Sequence, residues 1–267
     1  TDLNFVIPEL IARVTYNKGP YFAEDGDFGS VGSARIAYAD KLPSNVVSLT
    51  GGSFGYRRSV LAGSPDAGAG TLLYGLEYQQ SDGPWRNPND FAKYNGVLRY
   101  SQGTAASGWN LTGMAYKADW NSTDQIPRRA VEAGLLDRFG AIDPTDGGRA
   151  SRYSLSGEWR SKDNDASSAI SIYAISSGLN LYSNFTYFLD DPVNGDQFEQ
   201  AEKRLTLGAQ ASRSWSGEAT VAREFLTGGL THRLIAMVRA RDSRSSTGQS
   251  ASAELGLSNI VDEPLRV

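Results

Sequence analysis

The sequence contains no cysteine and a single histidine, His232, among its 267 residues. The absence of cysteine excludes disulfide bonds, thiolate zinc sites and cysteine nucleophiles. One histidine cannot supply a metal site with several imidazole ligands, and no Ser-His-Asp triad can be nominated. His232 begins an alternating segment, where a structural role at a strand rim is the simplest interpretation. We therefore predict no catalytic residues, no metal site and no cofactor, and do not expect an enzyme.

A large charge of either sign is also missing, because the net charge is -4 at pH 7 and the pI is near 5.2. Without a basic stripe or a run of like charges, we expect no nucleic-acid partner. The first residues show neither the positive nor the apolar region of a signal peptide. The chain is therefore expected to be cytoplasmic, or else a mature protein or a fragment.

Long apolar runs are the third absence, and no stretch approaches the roughly 18 residues that a membrane-spanning helix needs. Transmembrane β-strands contain no such stretch either, because their apolar and polar residues alternate. The sequence therefore leaves a membrane β-barrel open.

Alternating segments are what the sequence does contain, from about residue 45 onward. In TLLYGLEYQ (71–79), the leucines and tyrosines at even positions oppose a polar or small side, with Leu73 the exception. Similar alternation recurs in 152–160, 204–212 and 232–241. The segments reach roughly 9–12 residues, which favours tilted strands crossing a bilayer over the shorter strands of a soluble sandwich.

The predicted connections alternate between short and long. QGTAASG and KDNDAS are short and polar, whereas long insertions cover 81–93, 119–150 and 178–203. This alternation is typical of a barrel with tight turns at one rim and long loops at the other. We predict nine or ten strands, with 216–229 ambiguous between strand and turn; they lie near 45–52, 55–63, 70–80, 93–101, 108–118, 151–161, 167–177, 202–214, 230–241 and 250–257.

Acidic residues in the second long insertion raise the question of acid–base catalysis. Solvated loop acids are much commoner, and we interpret these side chains in that way. They are Asp119, Asp124, Glu132, Asp137, Asp143 and Asp146. Within the same insertion, RRAVEAGLLDRFG (128–140) predicts a short amphipathic helix that ends near Phe139.

The opening segment 7–40, IPELIARVTYNKGPYFAEDGDFGSVGSARIAYAD, resembles the last third of the plug domain of TonB-dependent outer-membrane receptors. That family has a strand and turn of the form R-I-E-V-x-[RK]-G-P, then glycines and a final plug strand. The plug motif matches here at Arg13, Lys18, Gly19, Pro20 and Gly26.

Further segments resemble the same family. GGSFGYRR (51–58) resembles its first barrel hairpin, and NLYSNFTYFLDDPVNGDQFEQ (180–200) resembles a siderophore-receptor-like branch. One departure is Glu24-Asp25, which stands where the family often has Leu-Tyr.

The resemblance implies an all-β fold: an antiparallel transmembrane β-barrel with the C-terminal piece of a plug domain. Residues 1–42 would be plug, and residues 43–267 the first nine or ten strands of a 22-stranded barrel. We expect the chain to be a fragment of such a receptor, and a complete small barrel of eight or ten strands is the alternative.

In function, the resemblance implies a receptor of the bacterial outer membrane that takes up a scarce ligand such as a ferric siderophore. Its partners would be a TonB-type energy-transducing protein, outer-membrane lipid and a small-molecule ligand such as an iron chelate. A passive small outer-membrane barrel, porin-like or adhesive, and a soluble β-sandwich binding module are the alternatives.

Two groups of side chains are candidates for this function. For ligand binding at the plug apex and loops they are Tyr21, Phe22, Glu24, Asp25, Asp27, Phe28, Trp85, Trp120 and Tyr187. For the contact between plug and barrel they are Glu77, Glu158, Arg160, Arg239 and Arg241. A solvated polar lumen is an equally good interpretation of the second group.

Overall fold

The computed structural model describes residues 3–19, 31–104, 106–123, 125–163, 166–183, 198–215, 217–222, 233–238 and 261–264. This part of the chain is nearly all antiparallel β structure, which confirms the all-β prediction. Its strands are β1 Ile11–Lys18, β2 Gly32–Tyr38, β3 Val46–Gly51, β4 Arg57–Gly63, β5 Asp66–Ala67, β6 Gly70–Ser81, β7 Phe91–Gly103, β8 Gly108–Asn121, β9 Gly147–Lys162, β10 Ala166–Ser183, β11 Phe198–Trp215, β12 Gly217–Ala222, β13 Arg233–Val238 and β14 Val261–Pro264.

Most strands belong to one ten-stranded antiparallel sheet with the order β14-β11-β10-β9-β8-β7-β6-β4-β3, in which β5 pairs with β6. From β3 to β11 the main strands are neighbours in sequence and in space, as in an up-and-down barrel. β1 and β2 form a separate antiparallel hairpin, and β12 pairs with β13.

The strand predictions up to 202–214 are confirmed, because they coincide with β3, β4 and β6 to β11. The predicted strand 230–241 contains β13, and the ambiguous segment 216–229 contains β12. The predicted strand 250–257 lies outside the described residues, and β14 was not predicted.

The connections alternate between the two rims of the sheet. Residues 52–56, 82–90 and 122–146 connect strands at one rim, together with the connection between β10 and β11. At the other rim the links are 64–69, which contains β5, then 104–107 and 163–165. The second long connection is shorter than predicted, because β8 continues to Asn121 and β9 begins at Gly147.

The polar inner face of the sheet is buried and the apolar outer face is exposed, which is the reverse of a sheet in water. Leu76, Leu98 and Leu155 on the outer face remain 56%, 54% and 55% exposed. On the inner face, the charged residues Glu77 and Lys93 are only 4% and 5% exposed. A sheet in water normally buries its apolar face and solvates its polar one.

The apolar core lies between the inner face and the N-terminal segment, residues 3–10. This segment ends in a short 3-10 helix, Pro8–Leu10. Ile7 and Leu10 are fully buried against a cluster on β4, β6 and β7 that includes Leu73. The pattern exception at Leu73 is thereby explained, because this apolar side chain faces the segment rather than the outer face.

Helix α1, Arg128–Glu132, is shorter than predicted. Gly134 adopts the left-handed region at φ 70°, a common way for a helix to end. The prediction that the helix ends near Phe139 was therefore wrong, and Leu135 is 77% exposed. Among the described residues, no helix is both long and apolar enough to cross a membrane.

Candidate functional site

The contact between the N-terminal segment and the inner face is built around Arg58 on β4. Its guanidinium donates two hydrogen bonds to the Glu9 carboxylate, with Nη1 and Nη2 at 2.6 and 2.9 Å from Oε1 and Oε2. Arg58 Nε also donates to Glu77 Oε1 on β6 at 2.7 Å. The planar fork of arginine suits such bidentate binding of a carboxylate. Arg58 thus joins the N-terminal segment to the sheet.

Glu77 is the most buried charge in this contact, with 1% of its side chain exposed. Lys93 Nζ on β7 lies 3.1 Å from its Oε2, and Asn95 Nδ2 donates to the same oxygen at 2.8 Å. An isolated buried carboxylate would be very costly. The four charged groups Glu9, Arg58, Glu77 and Lys93 sum to zero, so the cluster is electrically balanced.

Glu9 is the member of this cluster that the N-terminal segment contributes. Its hydrogen bond from Arg58 is the main cause that lowers the pKa of Glu9 below 4.5, while partial burial acts in the opposite direction. Glu9 therefore stays ionised in the folded protein at neutral pH. Its negative charge contributes most to stability when the N-terminal segment is docked, because Arg58 then binds it.

A second polar cluster surrounds Arg99 on β7. Its Nη2 donates to Asp40 Oδ1 at 2.8 Å, and its Nη1 donates to Asn110 Oδ1 and Thr112 Oγ1 at 2.9 and 3.1 Å. Asp40 follows β2, so this cluster joins the end of the β1–β2 hairpin to the sheet. Arg99 is 9% exposed, which makes the paired acceptors necessary.

Two further contacts complete the interface. The Arg152 guanidinium of β9 lies 4.6 Å from the centre of the Phe5 ring, a cation–π distance. The Tyr38 hydroxyl donates to the Met114 sulfur at 3.8 Å. The residues before β1 and around the end of β2 therefore contact β4 and β6 to β9.

At the long-loop rim, the inner face and the loops enclose a cavity of about 670 Å³, which we call the vestibule. Its aromatic lining comes from Trp85, Phe91, Tyr116 and Trp120, and Asn4 of the N-terminal segment also lines it. Ligand pockets are typically about 300–1,000 Å³ and largely aromatic or apolar, with few polar groups. The vestibule falls within this volume range and has an aromatic part, but its lining also includes polar residues, namely Asn4, Ser81, Asn89, Asn121, Ser122 and Thr123.

Loop contacts hold Trp85 at this rim. The Trp85 and Phe139 rings lie 6.3 Å apart between centroids, and Arg86 N donates to Phe139 O at 2.9 Å. Arg86 Nη2 also lies 2.9 Å from Asp137 Oδ2. The first and second long loops are therefore joined directly beside the vestibule.

The predicted ligand-binding residues are placed only in part. Trp85 and Trp120 line the same cavity, although they lie on different elements. The other candidates lie outside the described residues; they are Tyr21, Phe22, Glu24, Asp25, Asp27, Phe28 and Tyr187. Whether any of these residues binds ligand stays a prediction.

The plug motif is placed in part as well. Arg13 and Lys18 belong to β1, and Gly19 follows it at φ 77°, where its N–H donates to Val31 O at 2.8 Å. The left-handed φ explains a glycine here. Pro20 and Gly26 lie outside the described residues.

Among the predicted plug–barrel contacts, Glu77 meets the N-terminal segment through Arg58. Glu158 and Arg160 instead pair with each other at 2.7 Å within β9. Arg239 and Arg241 lie outside the described residues. Sequence reasoning missed Arg58, Lys93, Asn95 and Arg99. Lys93, Asn95 and Arg99 lie on the same side of β7. The polar character of that side was the sequence signal that could have identified them.

The loop acids are mostly paired with cations, as Asp137 is with Arg86 and Glu132 with Arg128. Asp146 is only 2% exposed, so the interpretation as a solvated acid was wrong for it. Asp124 lies outside the described residues. In the part of the chain that the structure describes, no group of three acidic or histidine side chains could hold a metal ion.

No family model and no curated protein matches the sequence. Among solved structures, the chain is similar to the open form of Fiu, the ferric-catecholate import receptor of E. coli K12, with a TM-score of 0.56 and 14% identity. The similarity covers 82% of this chain and 37% of that receptor, so the chain spans just over a third of its length. The likeness concerns the fold: an all-β chain resembling the barrel and plug of a TonB-dependent receptor.

Proposed function

We propose that the chain is part of an outer-membrane receptor for active uptake of a small ligand, with a plug domain at residues 1–42 and barrel strands from residue 43. The observation that carries the proposal is the N-terminal segment bound to a buried polar face while the opposite, apolar face is exposed. A transmembrane barrel presents apolar side chains to lipid and polar ones to its lumen. This arrangement also disfavours a soluble sandwich.

The ionic contact suits a plug that must move. If the N-terminal segment leaves, Glu9 gains water, whereas Arg58, Glu77 and Lys93 still pair with one another on the sheet. Movement therefore breaks one bidentate ion pair without leaving Glu77 unpaired. A partner of the TonB type would supply the mechanical work for this step.

A chain of contacts joins the vestibule to the ionic cluster. Asn4 lines the vestibule, and its carbonyl oxygen accepts a hydrogen bond from Asn95 at 2.7 Å. Asn95 also donates to Glu77, which pairs with Arg58 and, through it, with Glu9. A ligand that displaces Asn4 would thus disturb the groups that hold the segment, which gives ligand binding a physical route to plug release.

The ligand we propose is an iron chelate with aromatic groups. Flat aromatic rings can stack against Trp85 and Trp120 in offset or edge-to-face geometry. The similar solved structure belongs to a ferric-catecholate import receptor, which supports the same ligand class.

Uptake of a ferric catecholate by cells expressing the protein tests the proposal, measured with and without TonB. We expect uptake to require both the protein and TonB. Uptake that persists at full rate without TonB would favour the passive barrel. A chain that remains monodisperse in buffer without detergent would favour the soluble binding module.

A further inference from the structure

The outer face carries one row of residues at which its chemistry changes from apolar to cationic. The register places Tyr78, Tyr94, Lys117, Ser151, Gly178 and Lys203 opposite one another on β6 to β11. We call this the upper row, and it lies toward the long-loop rim. Arg149 is two residues beyond Ser151 on β9, in the direction of that rim.

Below the upper row, the outer face is apolar as far as a second aromatic border. There Trp109 on β8 lies opposite Trp159 on β9, and the Tyr100 and Trp109 rings are 5.3 Å apart. Lys117 and Trp109 are eight residues apart, about 27 Å along an extended strand. A tilted strand of this length fits an apolar band about 25 Å tall between aromatic girdles.

Two grooves meet the upper row, and Lys117 lines both. The first, about 720 Å³, runs over Gly96 and Ala115 between Leu76, Tyr94 and Tyr153. The second, about 510 Å³, runs from the upper row toward the long-loop rim, over Gly178 and Ala201 and beside Arg149. Both exist because small residues stand where the neighbouring strands carry larger ones. Their walls and floors are mainly apolar.

The three cations that line the second groove outnumber the acidic side chains near them. The Lys117 and Arg149 side chains are 57% and 76% exposed, and Lys203 is exposed too. Asp119 lies 3.4 Å from Lys117 and 3.3 Å from Arg149, so one carboxylate serves two cations. Glu202, which lines the second groove, is already paired with Arg204 at 2.8 Å. Three cations against one acid leave a local charge of about +2.

We propose that this surface binds a membrane lipid with a phosphorylated, anionic headgroup. Its acyl chains would lie in the first groove, and its phosphate would meet Lys117, Arg149 and Lys203 around the second. A single lipid combines the apolar and anionic parts that the first groove and the cations require, and the first groove continues into the apolar band. The proposal rests on the proposed function, because it needs the outer face to lie in a bilayer.

The test uses the complete receptor chain that contains these 267 residues, reconstituted into phosphatidylcholine vesicles with and without phosphatidylglycerol, followed by detergent extraction and native mass spectrometry of retained lipid. The variant is Lys117→Gln, Arg149→Gln, Lys203→Gln. Its matched control, Arg128→Gln, Arg138→Gln, Lys162→Gln, removes the same charge away from the grooves. Lys203→Glu alone tests the site if the triple variant does not insert.

We expect wild type and control to retain phosphatidylglycerol about tenfold or more over phosphatidylcholine, on the scale of two net charges near an anionic lipid. The triple variant and Lys203→Glu should lose most of this preference. An equal loss in the control, or a wild type that inserts into both vesicles without preference, would overturn the lipid site alone. A chain that inserts into neither vesicle would overturn the proposed function and the lipid site together.

Discussion

Asn95 on β7 donates from one nitrogen, Nδ2, to two acceptors: the Asn4 carbonyl oxygen at 2.7 Å and Glu77 Oε2 at 2.8 Å. With two acceptors on one side, the carboxamide nitrogen is required at this position. Asn95 is 5% exposed, so water cannot readily substitute for it. The residue therefore joins the vestibule lining to the charge cluster that holds the N-terminal segment.

Replacing Asn95 by aspartate keeps the shape of the side chain but places a carboxylate against two acceptors. We expect Asn95→Asp to weaken docking of the N-terminal segment by about 2–4 kcal/mol, since buried unpaired charges cost more than lost neutral hydrogen bonds. Hydrogen exchange at Ile7 and Leu10 measures the docking. Asn87→Asp, on the exposed loop, is the control and should leave exchange unchanged; similar exchange in both variants would refute the role of Asn95.

Docking of the N-terminal segment should also depend on pH through Glu9. Because its folded pKa lies below 4.5, Glu9 contributes stability that is fully present above the unfolded pKa. This contribution is lost as the pH falls through the folded value, below 4.5. Exchange at Leu10, followed from neutral pH into this acidic range, should accelerate in the wild type.

The matched variant for the pH experiment is Glu9→Gln, which cannot ionise. It should show weaker protection at neutral pH and a smaller acid-dependent loss than the wild type. Equal acid sensitivity in the two proteins would assign the effect to carboxylates other than Glu9.

The sequence predicted the sheet well because a period-2 pattern is a local property of each strand. Leu76 and Glu77 alone show which sides of β6 are apolar and polar, and both were assigned correctly to opposite faces. The pattern does not say which side is buried. That depends on whether lipid or water surrounds the sheet, and on whether a segment distant in sequence covers the polar face.

The interface was predicted less completely, because it depends on register between strands. The local sequence around Arg58 does not predict which residues it contacts, and Glu9 is 49 positions away in the chain. Trp85 and Trp120 were selected as aromatic loop residues, yet Trp120 belongs to strand β8 and points to the vestibule from there. Their meeting in one cavity follows from the pairing of β7 with β8.

The vestibule tryptophans should carry a large share of ligand affinity. We expect Trp120→Ala and Trp85→Ala each to weaken binding of a ferric catecholate roughly tenfold or more, because each removes a large apolar stacking surface. Trp120→Phe keeps an aromatic face and should lose less. Trp159→Ala, on the outer face, is the control. Fluorescence titration of the purified protein measures affinity, and unchanged binding in both alanine variants would exclude the vestibule as the site.

Leu10 packs directly on the backbone of Gly75, since a Cβ built at Gly75 would lie 2.6 Å from Leu10 Cδ1. Gly75→Ala should therefore destabilise docking by about 1–3 kcal/mol through overpacking. Leu10→Ala should cost about 2–5 kcal/mol by leaving a cavity. In the double variant the new methyl group occupies part of that cavity, so its cost should fall below the sum of the single costs by 0.5 kcal/mol or more, a coupling of the size expected for residues in contact. Additive costs, measured by the protection of Ile7, would mean that the segment does not rest on β6 at this point.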